Sequence, residues 1–355
     1  MTIQASTIRP TPIPLDVRAN LRMMFVAKHA RWTGDLHPED GNHAPYHREM
    51  REILEGLGLN LVIEDSYKAL FDRPDVDFVF PLLNRGGFLN SEMLLPLLCT
   101  RHGIPFLGAS PILRGLSDDK HLTKLEARAN GVPTAPWTIF RKGAPIDVRR
   151  CPTAARWVIK PNASSASWGV RDAIDHADIL AAVDAIHRDG HDAIVEPFLE
   201  GSDVEVPVIT VGGREAIMPM MLFEQADPAH LRTYAEKRDL ADRADKYRLV
   251  PFDDPRLSRQ ISAMTEALIR VFQPFDYGRF EFRVDLATGD IRFLEVNLNC
   301  NLWSQKVFGR SALLAGMSQD QLIETIVAES LMRQGLCERD SINRLSQGLV
   351  ASANG

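Results

Sequence analysis

The spacing of apolar positions changes repeatedly along the chain. Residues 21–27 (LRMMFVA) form a short, mainly apolar run that reads as a buried strand. A polar stretch over 28–45 follows and reads as a long loop. Helical spacing over 46–57, stopped by Gly56 and Gly58, predicts a helix. Residues 60–64 and 76–82 (VDFVFPL) predict two further strands, 91–102 a helix capped by Ser91, and 104–107 a short strand. Strands alternating with helices imply a parallel sheet in an α/β lobe.

Beyond this lobe, Ser117 is expected to cap a helix that runs through Lys120 and Lys124 to Asn130, where Gly131, Val132 and Pro133 stop it. Strands are predicted over 137–140, 157–160 and 193–196, with an amphipathic helix over 178–187. Residues 204–211 and 215–220 flank Gly212-Gly213, a hairpin signal. Residues 223–250 are polar and charged and read as a long excursion. A helix over 257–272, a strand pair over 278–297 and a helix over 318–334 complete the pattern. The expected organisation is an extended arm over 1–19 (with Pro10, Pro12 and Pro14), then an N-terminal α/β substrate lobe over 20–117. A central lobe over 118–205, a C-terminal lobe with a metal site over 206–340 and a flexible tail over 341–355 follow.

Composition narrows the function classes. With 355 residues, the chain exceeds one typical core; 45% hydrophobic and 25% charged residues suit a globular enzyme. A formal net charge of -6 offers no basic field for nucleic acid or anionic membrane. No apolar run reaches the roughly 18 residues of a membrane span, and no secretory pattern opens the sequence. Cys99, Cys151, Cys300 and Cys337 show neither CxxC nor zinc spacing, so a reduced, cytoplasmic protein is expected. Cys300 lacks a His/Asp partner and reads as packing.

Candidate chemistry concentrates in the strand pair. GRFEFRVD (278–285) and IRFLEVN (291–297) both alternate. Arg279, Glu281 and Arg283 share one face of the first; Phe293, Glu295 and Asn297 share one face of the second. Residues 286–290 read as the turn. A turn of three or five residues sets Glu281 across from Glu295; one of two or four separates them unless a bulge intervenes. Two carboxylates and an amide oxygen on one face suit a hard cation such as Mg²⁺. The alternative is a pair of strands with solvated Arg–Glu partners.

Four more motifs precede this pair: Asp119-Lys120-x-x-x-Lys124, Lys160-Pro161, the small-residue loop from Asn162 to Gly169, and EPFLEGSD from Glu196 to Asp203. Together with Arg279-Phe280-Glu281-Phe282 and Glu295-Val296-Asn297, the ordered series resembles the ATP-grasp superfamily, in its D-alanine–D-alanine ligase-like branch. The resemblance spans about residues 76–335, with Glu281 where the family has Asp. It implies an α/β, ATP-grasp fold: an N-terminal parallel α/β lobe plus two lobes that sandwich ATP. Lys120 and Lys160 would reach phosphate, and the loop carrying Ser165 and Ser167 would close over it. Glu196, Phe198 and Leu199 would face adenine and Asp203 the ribose hydroxyls. Glu281, Glu295 and Asn297 would hold two Mg²⁺ ions, with Mn²⁺ as an alternative. Arg279 would stabilise an oxyanion, and Lys237 on a mobile loop would clamp the γ-phosphate, with Lys246 the second candidate. The physics agrees: lysines are point-charge partners for phosphate, and small residues let backbone N–H groups approach it.

The implied activity is an ATP-dependent carboxylate–amine ligase, acting through an acyl phosphate on small molecules, as a homodimer, without nucleic-acid or membrane partners. Phosphoryl transfer without ligation and non-catalytic nucleotide binding are the alternatives. Departures from the family pattern fall on the substrate side. Lys28-His29-Ala30-Arg31 replaces His-Glu-x-Ser, Leu83-Asn84-Arg85-Gly86-Gly87 replaces a His-Gly motif, and Asn297-Leu-Asn-Cys-Asn301 replaces Asn-x-x-Pro-Gly. Lys306 stands where a serine would hold a carboxylate. Arg31, Arg85, Asn301 and Lys306 are therefore candidate substrate residues, and two D-alanines are not expected. His29, His37, His43 and His47 match no standard metal spacing and are expected to be solvated.

Overall fold

The structure, a computed structural model, describes residues 8–83, 91–241 and 247–338. Within them the strands collect into three sheets. β1 (Arg22–Val26), β2 (Asn60–Glu64) and β3 (Phe78–Pro81) form a parallel sheet in the order β2-β1-β3. β1 and β3 are apolar on both sides because both sides are covered. Met23, Phe25, Phe78 and Phe80 cluster with Tyr46, Met50 and Leu54 of helix His43–Gly56. Met24, Val26 and Val79 cluster with Leu95, Leu98 and Cys99 of helix Leu94–His102.

The strand expected at 104–107 is reduced to a single bridge from Phe106 to Val79. Pro105 has no N–H to offer a ladder, and the Gln334 side chain satisfies both the N–H and the carbonyl of Phe106. The helix expected from Ser117 is also corrected. Two helices, Pro111–Asp118 and Lys120–Ala129, meet at Asp119. Asp119 is extended and accepts from the Leu122 N–H at 2.9 Å, so it is the N-cap. Ser117 still lies inside the preceding helix, and its hydroxyl donates to the Arg114 carbonyl.

β4 (Thr138–Phe140), β5 (Trp157–Pro161), β6 (Arg171–Ala173) and β7 (Ala193–Pro197) form an antiparallel sheet in the order β4-β7-β5-β6. Phe140, Trp157 and Ile159 share a small core with Ile179, Val183 and Ile186 of helix His176–Arg188.

β8 (Ser202–Val211) and β9 (Arg214–Ile217) make the expected hairpin. The excursion expected over 223–250 is more regular than its polarity implied. β10 (Met221–Glu224) and β11 (Arg248–Pro251) pair at the sheet edge, and a short helix, Tyr234–Lys237, lies between them. β12 (Tyr277–Val284) and β13 (Ile291–Asn297) complete an antiparallel sheet of order β11-β10-β8-β12-β13, with β9 on β8. Helix Pro255–Phe272 buries Leu257, Ile261 and Leu268 in one cluster with Val204, Val206, Phe280 and Phe282.

The arm is not extended throughout, because Leu15–Asn20 is helical. Its preceding residues are tied to helix Gln319–Arg333: the Thr11 N–H donates to Thr325 Oγ1 at 3.0 Å and the Ile13 N–H to Glu324 Oε1 at 2.8 Å. Asp276 joins more distant parts. Its fully buried carboxylate accepts from the Gly108 N–H (2.6 Å), Ser330 Oγ (2.6 Å) and Arg333 Nε (2.8 Å). Removing one partner of such a network strands the others. Asp276→Ala is therefore expected to destabilise the fold by about 3–5 kcal/mol, read as a lowered urea midpoint; an unshifted midpoint would refute the assignment.

Candidate active site

Three strands of the large sheet build the floor of one cavity. Alternation along β8 sends Asp203 and Glu205 to the face opposite Val204 and Val206. On β12, Arg279, Glu281 and Arg283 lie opposite Phe280 and Phe282. The register then sets Glu205 beside Glu281, Glu281 beside Glu295, Asp203 beside Arg283 and Arg279 beside Asn297.

The connecting loop is 285–290, six residues rather than the expected five. With an even loop, regular pairing would set Glu281 opposite Leu294. A bulge restores the carboxylate pair: Phe282 pairs with Phe293 and Glu281 with Glu295, leaving Leu294 as the extra residue. The bulge also corrects the expected faces. Phe293 is fully buried in the core with Val296, away from Glu295 and Asn297, and Leu294 lines the cavity instead.

The floor is densely charged. Arg279 lies between two carboxylates, 2.8 Å from Glu205 Oε2 and hydrogen-bonded to Glu281 Oε1. Asn297 Nδ2 donates to Glu281 Oε1 at 2.8 Å and to Glu295 Oε1 at 3.3 Å. Lys120 Nζ is 3.3 Å from Glu295 Oε2 and donates to the Ser164 carbonyl at 2.8 Å. Burial raises the Glu295 carboxyl, but Lys120, Lys160 and Lys237 outweigh it and bring it to about 2. Burial pushes Glu205 up; Arg279 opposes this and Glu281 adds to it, leaving Glu205 at about 7.

Glu196, expected to face a base, lines the cavity; its carboxylate is buried and lies 3.1 Å from both Lys124 and Lys160. Lys124 is fully buried and also donates to Thr134 Oγ1 at 2.7 Å, so it is no solvated helix lysine. Phe198 lies under the Arg156 guanidinium at 4.3 Å, and the Leu199 carbonyl accepts from Arg283. Asp203 is held by Arg232 and Arg283, each at 2.8 Å, which overcome burial and bring it to about 2. In the loop carrying Ser165, Ala166 (φ 53°) and Ser167 (φ 59°) are consecutive left-handed residues without glycine's freedom.

The cavity has a volume of about 760 Å³, a small-molecule scale. The candidates for ATP and metal named from sequence line it, as do Asn301 and Lys306. Lys306 Nζ donates to the Tyr247 hydroxyl at 2.9 Å. Arg31 does not join them: it is exposed, and its guanidinium donates to the Ile63 carbonyl. Arg85 and Lys246 lie outside the described residues. Cys300 also lines the cavity, but burial pushes its thiol up to about 12, in keeping with packing.

Sequence reading missed two parts of this site. Glu205 was legible in the alternation of β8 but was not weighed. The histidines are a correction: His29 and His47 are 9% and 3% exposed and line the cavity with His43. The loop that runs from His29 into helix His43–Gly56 also holds the segment with Lys237. Asn42 donates from its backbone N–H to the Arg238 carbonyl (3.0 Å) and from Nδ2 to the Lys237 carbonyl (3.1 Å). Gly41, at φ +54°, brings its Cα so close that a Cβ would lie 1.8 Å from the Arg238 oxygen.

The floor fits a hard cation. Its donors are carboxylate oxygens from adjacent strands, and the Asn297 amide bridges both and can present its oxygen by rotating. An Arg–Glu pair is present as well, Arg279 with Glu281, but it is largely buried and not solvated as that alternative expected.

A charged floor between two antiparallel sheets, beside a parallel α/β lobe, defines the ATP-grasp fold. D-alanine–D-alanine ligase from Bacillus anthracis, solved with ATP, superposes with a TM-score of 0.68 at 16% identity, covering 90% of this chain and 99% of that one. The VanG D-Ala:D-Ser ligase of Enterococcus faecalis gives 0.67 at 13% identity, covering 88% and 99%. In sequence, an uncharacterized protein, y4sG, of Sinorhizobium fredii is 30% identical over 237 residues, 66% of this chain and 68% of that protein. D-alanine–D-alanine ligase of Haemophilus ducreyi is 25% identical over 285 residues, 79% of this chain and 90% of that enzyme. The family model "D-ala D-ala ligase C-terminus" matches residues 127–328, more than half of the chain. The chain belongs to this family and is an ATP-dependent carboxylate–amine ligase that forms a C–N bond. Among the described residues no helix is long and apolar enough to cross a membrane.

Glu295→Gln keeps the shape of the floor and removes its charge. ATP turnover is expected to fall on the order of 100-fold or more, measured as ADP release, with the thermal midpoint preserved. Wild-type ADP release would remove Glu295 from the chemistry.

Proposed function

We propose that this ligase activates a small carboxylate as an acyl phosphate and passes the acyl group to an amine, with substrates other than two D-alanines. The observation that carries the reading is the floor itself: Glu281, Glu295, Asn297 and Arg279 line one cavity together with Lys120, Lys160 and Lys237. In the first half-reaction a carboxylate oxygen bonds to the γ-phosphorus, and the bond to the β,γ-bridging oxygen breaks, releasing ADP. In the second the amine nitrogen bonds to the acyl carbon, the bond to the phosphate oxygen breaks, and the amine sheds its proton as phosphate leaves. Glu281, Glu295 and Asn297 would hold two magnesium ions, which when bound supply charge neutralisation at the β- and γ-phosphates.

The protein's own contribution is positioning and charge. Lys120 and Lys160 face the transferred phosphoryl group, and the loop with Ser165 and Ser167 excludes water over it. Lys237, on a segment latched to the N-terminal loop by Asn42, completes the cationic wall. Arg279, charged and fixed by two carboxylates, is placed to stabilise the oxyanion formed when the amine attacks. The adenine would lie along Phe198 and Leu199, and the ribose near Asp203. The resemblance implies a homodimer, and the scattered cysteines suit a reduced, cytoplasmic protein.

Lys306 and Asn301 occupy the substrate end and favour a partner carrying its own carboxylate. Lys306→Ala is expected to raise KM for one organic substrate by about tenfold, one lost charged contact, with KM for ATP unchanged. Equal effects on both would remove Lys306 from substrate recognition. The decisive assay measures ADP and phosphate release against pools of amino acids and dipeptides. Release that needs both a carboxylate and an amine supports ligation; release with a carboxylate alone, ending in a phosphorylated product, would replace it with phosphoryl transfer.

A further inference from the structure

The loop between β1 and helix His43–Gly56 carries a second cluster of chemical groups. His37 and Gly41 exchange backbone hydrogen bonds, His37 N–H to the Gly41 carbonyl at 3.0 Å and the reverse at 2.7 Å. This tight hairpin folds His37 onto His29, with ring centroids 4.4 Å apart. It also sets Asp40 Oδ2 2.8 Å from His29 Nε2. One donor atom from each of His29, His37 and Asp40 lies within 4.8 Å of the others.

We propose that His29, His37 and Asp40 form a site for a transition-metal ion of the zinc class, on the N-terminal wall of the cavity. Two imidazole nitrogens and one carboxylate oxygen suit Zn²⁺, Co²⁺ or Ni²⁺, whereas the all-oxygen floor suits Mg²⁺. Three protein ligands leave a fourth position open. His29 and Asp40 both line the cavity. His29 is held in place, since its backbone N–H donates to His47 Nδ1.

Binding requires two small changes. Lys28 contacts Asp40, but its side chain is 57% exposed, and an exposed ammonium leaves such a pair at little cost. His37 is half-buried, and Nδ1 accepts from the Glu39 and Asp40 N–H groups at 3.2 Å each, long contacts that a turning ring gives up easily. The consequence reaches the segment carrying Lys237. Asp40 directly precedes Gly41 and Asn42, which hold Lys237 and Arg238, so an ion at this site fixes the hairpin that holds that segment.

The test uses full-length, chelator-stripped protein without nucleotide, titrated with Co²⁺ and read by visible d–d absorption. One Co²⁺ per chain with a four-coordinate spectrum, displaced by Zn²⁺, is expected. His37→Asn and Asp40→Asn should each weaken binding about tenfold or more. Asn at 37 still offers an acceptor to the Glu39 N–H, which preserves the hairpin. The double variant Glu281→Gln/Glu295→Gln should leave the spectrum unchanged. Zn²⁺ should also protect His29 and His37 of the unmodified chain from diethyl pyrocarbonate, mapped by mass spectrometry. Absent absorption, binding indifferent to His37→Asn, loss of the spectrum in the floor variant, or unprotected histidines would each overturn the proposal. None of these outcomes depends on ligase turnover.

Discussion

Balanced charge in a buried place is the condition this structure must satisfy. Glu196, Glu205, Glu281 and Glu295 sit at one end of the cavity with Lys120, Lys124, Lys160 and Arg279 among them. Each alone would cost several kcal/mol to desolvate, and each is tolerable only beside its partners. The architecture serves this. Three antiparallel strands deliver alternate residues to one face, a bulge brings the last carboxylate into line, and helix Lys120–Ala129 inserts two lysines from the side. Glu205, raised to about 7, marks where the balance is least complete.

The lobes differ in how firmly they are joined. One apolar cluster runs from Ile8 and Phe25 through Tyr277 and Phe308 to Ile326, welding the N-terminal sheet to the C-terminal helices. Asp276 adds a buried polar link to the same seam. The sheet of β4 to β7 keeps a separate core. The cavity thus lies between a welded body and a lobe with its own packing, the arrangement in which relative movement is the default.

Much of this was legible in the chain. Residues 60–64 match a strand without adjustment because turn residues bound them, and the ordered motifs name residues that line the floor. Three kinds of information were absent. A bulge leaves no mark in composition, so the pairing of Glu281 with Glu295 stayed conditional on turn length. Capping depends on which residue is extended, and that separates Asp119 from Ser117. Burial of His29, on a loop, and of His47, on helix His43–Gly56, arises from packing against distant elements, which local polarity hides. Glu205 is a different case, since its alternation was visible and simply unused.

The outer edge of β13 is not free. The Phe293 N–H donates to the Pro133 carbonyl, and its own carbonyl accepts from Thr134 Oγ1, which in turn accepts from Lys124. This short relay crosses between the lobes directly behind the carboxylates. Because Lys124 also pairs with Glu196, one buried lysine ties the edge of β13 to β7, so the two antiparallel sheets share a single cation at this seam.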